Sequence, residues 1–353
     1  MLTSIDLANY HIKIHPRESA SNISQQDWDD LSRSSIFTNP FYERWNLLPA
    51  LNHLEKELKV FVITIHKNAV LIGLFPIHIG IFKYTIKYLT LWQHDHCYLS
   101  DPLLKEAIDL NFLLCQIGQR LNTQFTIISL HSTDLFISSR NIHSVSTTRA
   151  AVLNKNHIIA HLEALSGKFK REIKRTKRKI INEGNLNLIQ QDNLQEGLNN
   201  YCELEHQGWK GRDGGSIDYK HTTRSYYQDI IKSQNLHQAI QIQELRLDDQ
   251  CIAACIRFKS NQIYYEVKTT YNEAYKKLAP GKLLEIEILK DLTDSNFRYI
   301  DSCTQQNNRL INTLWPDKIE LKTSYFFYPN FYSYTLSVLH KIKFIFLRIK
   351  DKS

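Results

Sequence analysis

Long hydrophobic segments are missing from this sequence of 353 residues. No stretch reaches the ~20 apolar residues that a membrane-spanning helix needs. The nearest, residues 69–82, contains His78 and two Gly and is typical of paired strands. The first residues also lack the basic start and apolar core of a secretory leader. We therefore expect a cytoplasmic protein.

Several chemical motifs are missing as well. The six Cys are scattered and none forms a CxxC pair, which argues against a zinc or disulfide framework. His94-Asp95-His96 lacks the spacing of a helical metal pair, and adjacent strand residues point to opposite faces, so we expect no metal. The sequence contains neither a GxSxG nucleophile motif nor a Walker phosphate loop.

Positive charge is concentrated in one segment. Residues 168–179 hold eight Lys or Arg and one Glu, which gives +7 and leaves +1 of the net +8 for the other residues. Such a basic arm predicts a local polyanionic partner, such as a phosphate-bearing ligand, a lipid headgroup or RNA. The last 13 residues interleave Lys and Arg with Ile, Phe and Leu, a pattern typical of a membrane-surface anchor.

The order of predicted elements repeats once along the chain. In each half, helices precede a three-stranded antiparallel meander, and a helix and further strands follow it. The meanders are predicted over residues 59–92 and 239–270, with Ser260-Asn261 as one of the turns. We therefore predict an α/β (α+β) fold with two tandem domains, each a mostly antiparallel mixed sheet flanked by helices. The predicted divisions are residues 1–155, residues 156–330 and a basic amphipathic tail of residues 331–353.

A polar loop that opens a helix is the most specific local feature. The chain leaves a strand at residue 270, passes Ala279-Pro280-Gly281 and enters an amphipathic helix. The first turn of a helix presents unpaired N–H groups and a positive dipole end, and Gly lets a ligand approach the backbone. A pyrophosphate fits such a place, although a plain Pro-Gly turn gives the same pattern.

This arrangement resembles the GNAT acyltransferase fold. More narrowly, residues 160–320 resemble the GNAT-like family of cellulose-biosynthesis accessory proteins, which is related to the Fem peptidoglycan-bridge transferases. The segments that carry the resemblance are FKREIKRTKRKIINEG, YCELEHQGWKGRDGGSI, YYEVKTTYNEAYKKLAPGKLL and FRYIDSCTQQNN, followed by Trp315. The first half is similar more weakly, through FTNPFYERW and LIGLFPIHI. The loop departs from the glutamine/arginine- and glycine-rich pattern common in GNAT proteins.

The resemblance implies a CoA thioester lying where residues 262–270 and 297–303 splay apart. The residues expected to bind this donor are Lys268, Lys276, Lys277, Leu278, Ala279, Pro280, Gly281 and Lys282. Asp301 or Glu266 would accept the proton of the attacking amine, and Tyr265 would protonate the leaving thiolate. The alternatives are ion pairs of the two carboxylates with Lys268 or Arg298, and a packed aromatic ring for Tyr265.

The resemblance places the acceptor beside the segment ELEHQGWKGRDGG. Glu205 and Trp209 are predicted to share a helix face at i, i+4, and Lys210 and Arg212 enter the glycine loop that follows. A helix end anchored by Trp209 is the alternative. Lys174 and Arg175 of the basic arm are further candidates for holding the acceptor, and a solvated helix face is the alternative for them.

These expectations combine into one functional hypothesis and two alternatives. The hypothesis is an N-acyltransferase that uses acyl-CoA, acetyl-CoA or a longer thioester, and acts on an amine. The expected acceptor is an amino sugar of a surface polysaccharide or an envelope precursor, reached by an enzyme peripheral on the inner face of the cell membrane. The alternatives are a Fem-like transferase that takes its acyl group from aminoacyl-tRNA and a non-catalytic binding module in envelope polysaccharide assembly.

Overall fold

The computed structural model of the protein describes residues 10–82, 86–108, 110–121, 127–131, 142–233 and 239–327. The basic amphipathic tail predicted at residues 331–353 lies outside these ranges. A helix both long and apolar enough to cross a membrane is not found among the described residues.

Ten helices and thirteen strands are distinguished in the described ranges. The helices are α1 (Gln25–Ser34), α2 (Arg44–His53), α3 (Leu110–Arg120), α4 (Lys155–Ala164), α5 (Gly167–Ile181), α6 (Leu194–Gln207), α7 (Trp209–Arg212), α8 (His221–Ser233), α9 (Pro280–Asp291) and α10 (Arg309–Leu314). The strands are β1 (Tyr10–Pro16), β2 (Val60–Lys67), β3 (Val70–Phe82), β4 (Ile86–Leu91), β5 (Leu103–Leu104), β6 (Ile127–His131), β7 (Ile142–Val152), β8 (Leu186–Gln190), β9 (Ile240–Leu247), β10 (Gln250–Ser260), β11 (Ile263–Tyr271), β12 (Tyr299–Asp301) and β13 (Asp317–Phe327).

Contacts between Cα atoms divide the chain into two compact units. Unit 1 consists of residues 1–44, 55–146 and 321–353, and unit 2 of residues 45–54 and 147–320. Each unit therefore contains chain from both halves of the sequence. The domain boundary after residue 155 stays a prediction.

Unit 1 is built on a mixed sheet that is mostly antiparallel. Strands β1, β2, β3 and β4 pair antiparallel in that order, and β5 adds to β3. The sheet continues from β4 to β6 through a parallel pairing and from β6 to β13 through an antiparallel one. Its core is apolar, with Ile63, Phe75 and Leu89 from the strands and Leu113 from α3.

Unit 2 repeats this plan. Strands β8, β9, β10 and β11 pair antiparallel, β11 pairs parallel with β12, and β12 pairs antiparallel with β7. Helix α9 packs its buried side, including Leu284 and Ile288, into the same core as Leu245 and Cys255. Each unit thus has four antiparallel strands, one parallel step and a closing antiparallel strand. The predicted fold class, with a mixed and mainly antiparallel sheet in each half, is confirmed.

Most of helix α2 lies within unit 2, although it comes early in the chain. The hydroxyl of Tyr226 donates to Asn46 Oδ1 at 2.7 Å, and His53 Nε2 lies 2.7 Å from Asp229 Oδ2. The ring of Trp45 meets that of Phe258 edge to face at 5.3 Å. These contacts fix α2 against α8 and β10, a pairing of distant segments that sequence periodicity does not reveal.

Two predicted elements differ from the structure. Residues 154–166 lie at the predicted division after residue 155, yet they contain α4, which is capped by Asn154 accepting from the Asn156 amide. The helix predicted over residues 194–209 ends at Gln207, because Gly208 takes an extended conformation and a separate turn, α7, begins at Trp209. The predicted i, i+4 pairing of Glu205 with Trp209 is therefore wrong.

Candidate functional site

Strands β11 and β12 part within the sheet of unit 2. Their parallel pairing covers only Ile263–Tyr265 and Tyr299–Asp301, while β11 runs on to Tyr271. A register shift in the β10–β11 pairing marks a bulge just after this point, and bulges bend a strand and interrupt its ladder. The pairing thus ends within the predicted splay region, and the role of this region in holding the donor stays a prediction.

Asp301 lies at the last paired position of β12 and is fully buried. Its Oδ2 accepts from Arg149 Nη1 at 2.9 Å, and its Oδ1 accepts from the Cys303 amide at 2.8 Å. Burial raises the pKa of the Asp301 carboxyl, and Arg149 and the amide only partly oppose that effect. A buried carboxyl with a raised pKa has the property that a proton acceptor needs. The alternative partner Arg298 is wrong; the partner is Arg149 of β7.

Tyr265 is the direct neighbour of Asp301 across the parallel pairing and is also fully buried. Burial raises the pKa of its phenol well above the ordinary value, and a hydrogen bond with Tyr299 acts in the same direction. The phenol therefore keeps its proton and can serve as a hydrogen-bond or proton donor. Asp301 and Tyr265 are the two predicted catalytic residues that the structure brings together.

Glu266 belongs to a different cluster. Consecutive strand residues point to opposite faces, so Glu266 faces away from Tyr265. It lies 3.7 Å from Arg257 Nη2, with both side chains almost fully buried. Burial and the neighbouring Glu266 raise the pKa of Glu285 on α9 well above the ordinary value, and Trp315 donates to Glu285 at 3.2 Å. The alternative ion pair of Glu266 with Lys268 is wrong, since the cation beside Glu266 is Arg257.

The predicted donor loop begins a helix as expected. A 3-10 turn, Glu273–Leu278, leads to Ala279 in the left-handed conformation with φ +46°, and Pro280 occupies the first position of α9. Ala279 occupies the N-cap position, and its methyl side chain cannot accept a hydrogen bond from the first-turn amides. A Cβ atom placed on Gly281 would lie 3.2 Å from Tyr271 Cδ1, so the backbone here is closely approached. These features fit a group with phosphate oxygens.

The three Lys of the loop differ in environment. Lys276 and Lys277 are exposed, whereas Lys282 Nζ lies 2.7 Å from Glu172 of α5 and 5.0 Å from the centre of the Phe169 ring. Leu278 is buried in the core. Lys276 and Lys277 are thus available to a ligand, and Lys282 attaches the first turn of α9 to the basic arm.

Glu205 is the centre of a buried ionic cluster. Its Oε1 lies 3.2 Å from Lys210 Nζ and 3.3 Å from Lys268 Nζ, and it accepts from Tyr201 at 3.1 Å. Its Oε2 accepts from the Ile217 amide at 2.7 Å. Burial opposes ionisation, but the charges of Lys268 and Lys210 together hold the pKa of Glu205 below its ordinary value.

Lys210 connects the acceptor-side loop to β11. Its Nζ also donates to the Thr269 carbonyl at 2.8 Å, beyond the point where β11 and β12 part. Burial lowers the pKa of Lys210 more than Glu205 raises it, whereas the Glu205 pKa indicates a favourable pair. The short contacts pair both amines, those of Lys210 and Lys268, with the one carboxylate of Glu205. Lys268, predicted to bind the donor, belongs to this cluster instead.

The exposed part of the acceptor-side segment is α7. The Trp209 side chain is 50% exposed, so it is available for contact with a ligand. Its amide donates to Glu273 Oε1 at 2.9 Å, and Arg212 Nη2 donates to both oxygens of the same carboxylate at 3.1 and 2.8 Å. Glu273 opens the turn that leads to Ala279. One carboxylate therefore joins the predicted acceptor side to the predicted donor loop.

The basic arm forms α5, as predicted. Lys174 and Arg175 are exposed on its outer face, and the described contacts do not bring them to Asp301 or Glu205. The described residues contain no group of three or more His, Cys, Asp or Glu positioned to hold a metal ion.

The chain is similar in sequence to one known protein family and similar in fold to several solved structures. Residues 167–308 match the family model described as an acetyltransferase (GNAT) domain. This segment is a GNAT acyltransferase domain. It begins with the basic arm α5 and includes the Glu205 cluster, the splay of β11 and β12, and the first turn of α9. The similarity to acyltransferases of the GNAT type therefore lies in residues 167–308 of the chain.

Solved structures extend the similarity of fold over most of the chain. FemX aligns with a TM-score of 0.56 at 8% identity, covering 86% of this chain and 96% of FemX. The C-terminal domain of a putative lysylphosphatidylglycerol synthetase from Agrobacterium fabrum aligns with a TM-score of 0.53 at 10% identity, covering 89% of this chain and 94% of that one. A conserved protein of unknown function from Bacteroides thetaiotaomicron aligns with a TM-score of 0.54 at 12% identity, covering 87% of this chain and 98% of that one. No curated protein matches the sequence.

Sequence reasoning missed three charged residues of unit 2. Arg149 holds Asp301, and Arg257 and Glu285 surround Glu266. Each adjoins apolar residues: Arg149 precedes Ala-Ala-Val, Arg257 follows CIAACI, and Glu285 stands among Leu and Ile. A charge in such a place needs a buried partner, and that signal was available without the structure.

Proposed function

We propose that the protein transfers an acyl group from acyl-CoA to the amine of an amino sugar in a surface polysaccharide or envelope precursor. The observation that carries the donor assignment is the continuous path of β11. The strand leaves its partner β12 beside Asp301 and leads through one turn to the N-terminus of α9, at Ala279. A splayed strand pair followed by a helix start with no side-chain cap can hold the extended arm and the phosphates of a CoA thioester.

Exposed groups on α7 support the acceptor assignment. Trp209 offers an apolar face on which a sugar ring can pack, and the neighbouring Arg212 can bind a phosphate linked to that sugar. Both lie next to Glu273, at the start of the segment that leads to the donor loop. An acceptor lying on α7 therefore comes close to the loop that we assign to the donor.

Direct transfer accounts for the groups at the splay. The amine forms a bond with the thioester carbon, the carbon–sulfur bond breaks, and no acyl-enzyme is formed. We assign proton removal from the amine to Asp301, through a water because the carboxyl is fully buried. Tyr265, which retains its phenolic proton, is assigned to the departing sulfur. Glu266 is not assigned a step because it faces α9.

A transfer assay tests this function. The purified protein is incubated with acetyl-CoA or a longer acyl-CoA and with glucosamine or a nucleotide-linked amino sugar. We expect release of free CoA thiol that depends on the acceptor, with the N-acylated sugar detected by mass spectrometry. Transfer only from aminoacyl-tRNA would instead establish the Fem-like alternative. Failure to bind or use either donor would favour the non-catalytic alternative.

Replacing Arg149 by Met tests whether Arg149 lowers the pKa of Asp301. Arg149 lowers the pKa of the Asp301 carboxyl against the larger effect of burial. Without Arg149 that pKa rises further, so a higher pH is needed to ionise the base. We expect the acidic limb of the kcat/KM profile to move to higher pH, with the plateau at alkaline pH largely retained. Arg149→Lys, which keeps the charge, should restore the limb toward its original position. A profile unchanged in Arg149→Met would remove Asp301 from the ionisations that control the rate.

A further inference from the structure

Helices α4 and α5 form a hairpin joined by Leu165 and Ser166. The Ser166 hydroxyl accepts from the Phe169 amide at 3.2 Å and so caps α5. Lys170 Nζ donates to the Glu163 carbonyl at 2.8 Å, which fixes the start of α5 to the end of α4. The hairpin precedes the Glu205 cluster in the chain and is not used by the proposed reaction.

An apolar groove opens beside this hairpin. It has a volume of about 450 Å³ and is lined by Ile159, Leu162, Glu163, Lys170, Lys290 and Thr293. Ile159 is 54% exposed and lies next to Leu162 in the groove lining, so the two form a contiguous apolar surface. Ile159 and Leu162 thus supply the aliphatic lining, and Lys170 and Lys290 supply positive charge, with Lys290 also 3.4 Å from Glu287. This combination fits a hydrocarbon chain that ends in an anionic group.

Cations extend from the groove along the outer face of α5. Lys170, Lys174 and Arg178 recur every four residues and therefore lie on one face of the helix. All three are exposed. The ion pairs of α5 among the described residues are made on its inner side, by Glu172 with Lys282 and by Lys177 with Glu287 of α9. The inner side fixes the helix to α9, and the outer side presents positive charge to a partner.

We propose that this hairpin surface docks on an anionic phospholipid bilayer. The groove takes an aliphatic chain through Ile159 and Leu162, and the row from Lys170 to Arg178 binds lipid phosphates. Lipid is favoured over RNA because the groove beside these cations is lined by the aliphatic side chains of Ile159 and Leu162, and RNA has no hydrocarbon chain to fill it. The proposal does not depend on the acyl donor.

Co-sedimentation of the full-length protein with lipid vesicles tests the proposal. Vesicles of phosphatidylcholine alone are compared with vesicles of phosphatidylcholine and phosphatidylglycerol in equal parts, at low salt. We expect binding to the anionic vesicles only. Lys170→Gln with Arg178→Gln should weaken binding about fivefold for each cation removed. Ile159→Asn should weaken it about tenfold through lost burial of the side chain. The exposed pair Lys220→Gln with Lys232→Gln is the matched charge control, and Val70→Asn is the matched apolar control.

Two further measurements distinguish the other possible sources of vesicle binding. The contribution of the basic tail is measured with the triple variant Lys341→Gln, Lys343→Gln, Arg348→Gln. Competition with a tRNA mixture measures whether nucleic acid binds the same surface. The proposal is supported if both hairpin variants lose affinity at unchanged thermal stability while both controls retain it. It is overturned if the wild type ignores anionic vesicles or if only the tail variant loses binding. It is also overturned if Ile159→Asn binds like the wild type while tRNA displaces the protein from the vesicles.

Discussion

Asp301→Asn is expected to lower kcat by about 10²–10⁴, the usual contribution of a positioned general base. The amide oxygen can still accept from the Cys303 amide, so the local turn is retained, but an amide cannot take up the proton of the attacking amine. The affinity for the acyl donor should stay within about threefold of the wild-type value because the phosphates are assigned to the first turn of α9.

Asp317→Asn is the matched control for this substitution. Asp317 is a carboxylate of the same unit, paired with His157 at 2.9 Å, and it has no place in the proposed reaction. Single-turnover rates at saturating donor separate chemistry from binding in both variants. If Asp301→Asn retains a rate within about threefold of the wild type, the amine loses its proton by another route and Asp301 is a structural residue.

Glu205→Gln is expected to lower the free energy of unfolding by about 3–5 kcal/mol at neutral pH, the usual result of removing one partner from a buried ionic cluster. The substitution leaves Lys210 and Lys268 without the carboxylate that both contact. Urea unfolding of the two proteins measures the difference. Glu203→Gln is the matched control, because Glu203 lies on the same helix, is exposed, and makes a hydrogen bond to Gln207. The control should change stability by less than about 0.5 kcal/mol.

The stability difference should depend on pH in one direction. The pKa of Glu205 is lower in the folded protein than its ordinary value of 4.5. The contribution of the ionised carboxylate is therefore complete above about pH 4.5 and is lost as the pH falls through the folded value. The unfolding free energies of the wild type and Glu205→Gln should approach one another in acid. A constant difference from pH 7 down to acid unfolding would show that Glu205 contributes through its shape and hydrogen bonds, not its charge.

Helix α9 was predictable because its sequence signals are local. Pro280 fixes the first helical position, as Pro does at that place in other helices, and the apolar spacing of Leu284 and Ile288 continues from it. The basic arm was likewise readable as α5, with Ile173 and Ile180 on one side. Both features depend on residues within one or two helical turns.

The Arg257–Glu266 pair was missed because the turn before β11 was predicted one residue too early. The turn between β10 and β11 is Asn261-Gln262, both at positive φ, rather than the predicted Ser260-Asn261. A shift of one residue in a hairpin changes every partner in the pairing. With the observed turn, Arg257 pairs directly with Glu266. The sequence held this information once the turn was placed correctly.

The Arg149–Asp301 pair could not be predicted in the same way. The two residues are 152 positions apart and meet because β7 pairs with β12. Nothing local in either strand specifies that pairing, which depends on how the whole sheet of unit 2 is closed. The same limit applies to α2, whose contacts with α8 join residues about half the chain apart.

Calorimetric titration with acetyl-CoA tests the central claim, that the first turn of α9 binds the donor. The variant is Gly281→Glu, whose side chain starts 3.2 Å from the Tyr271 ring and places a carboxylate where phosphate is expected. The control is Gly167→Glu, the same substitution in the first turn of α5. We predict that the wild type and Gly167→Glu bind acetyl-CoA and that Gly281→Glu does not. Absence of binding by the wild type, or equal binding by Gly281→Glu, would contradict the account.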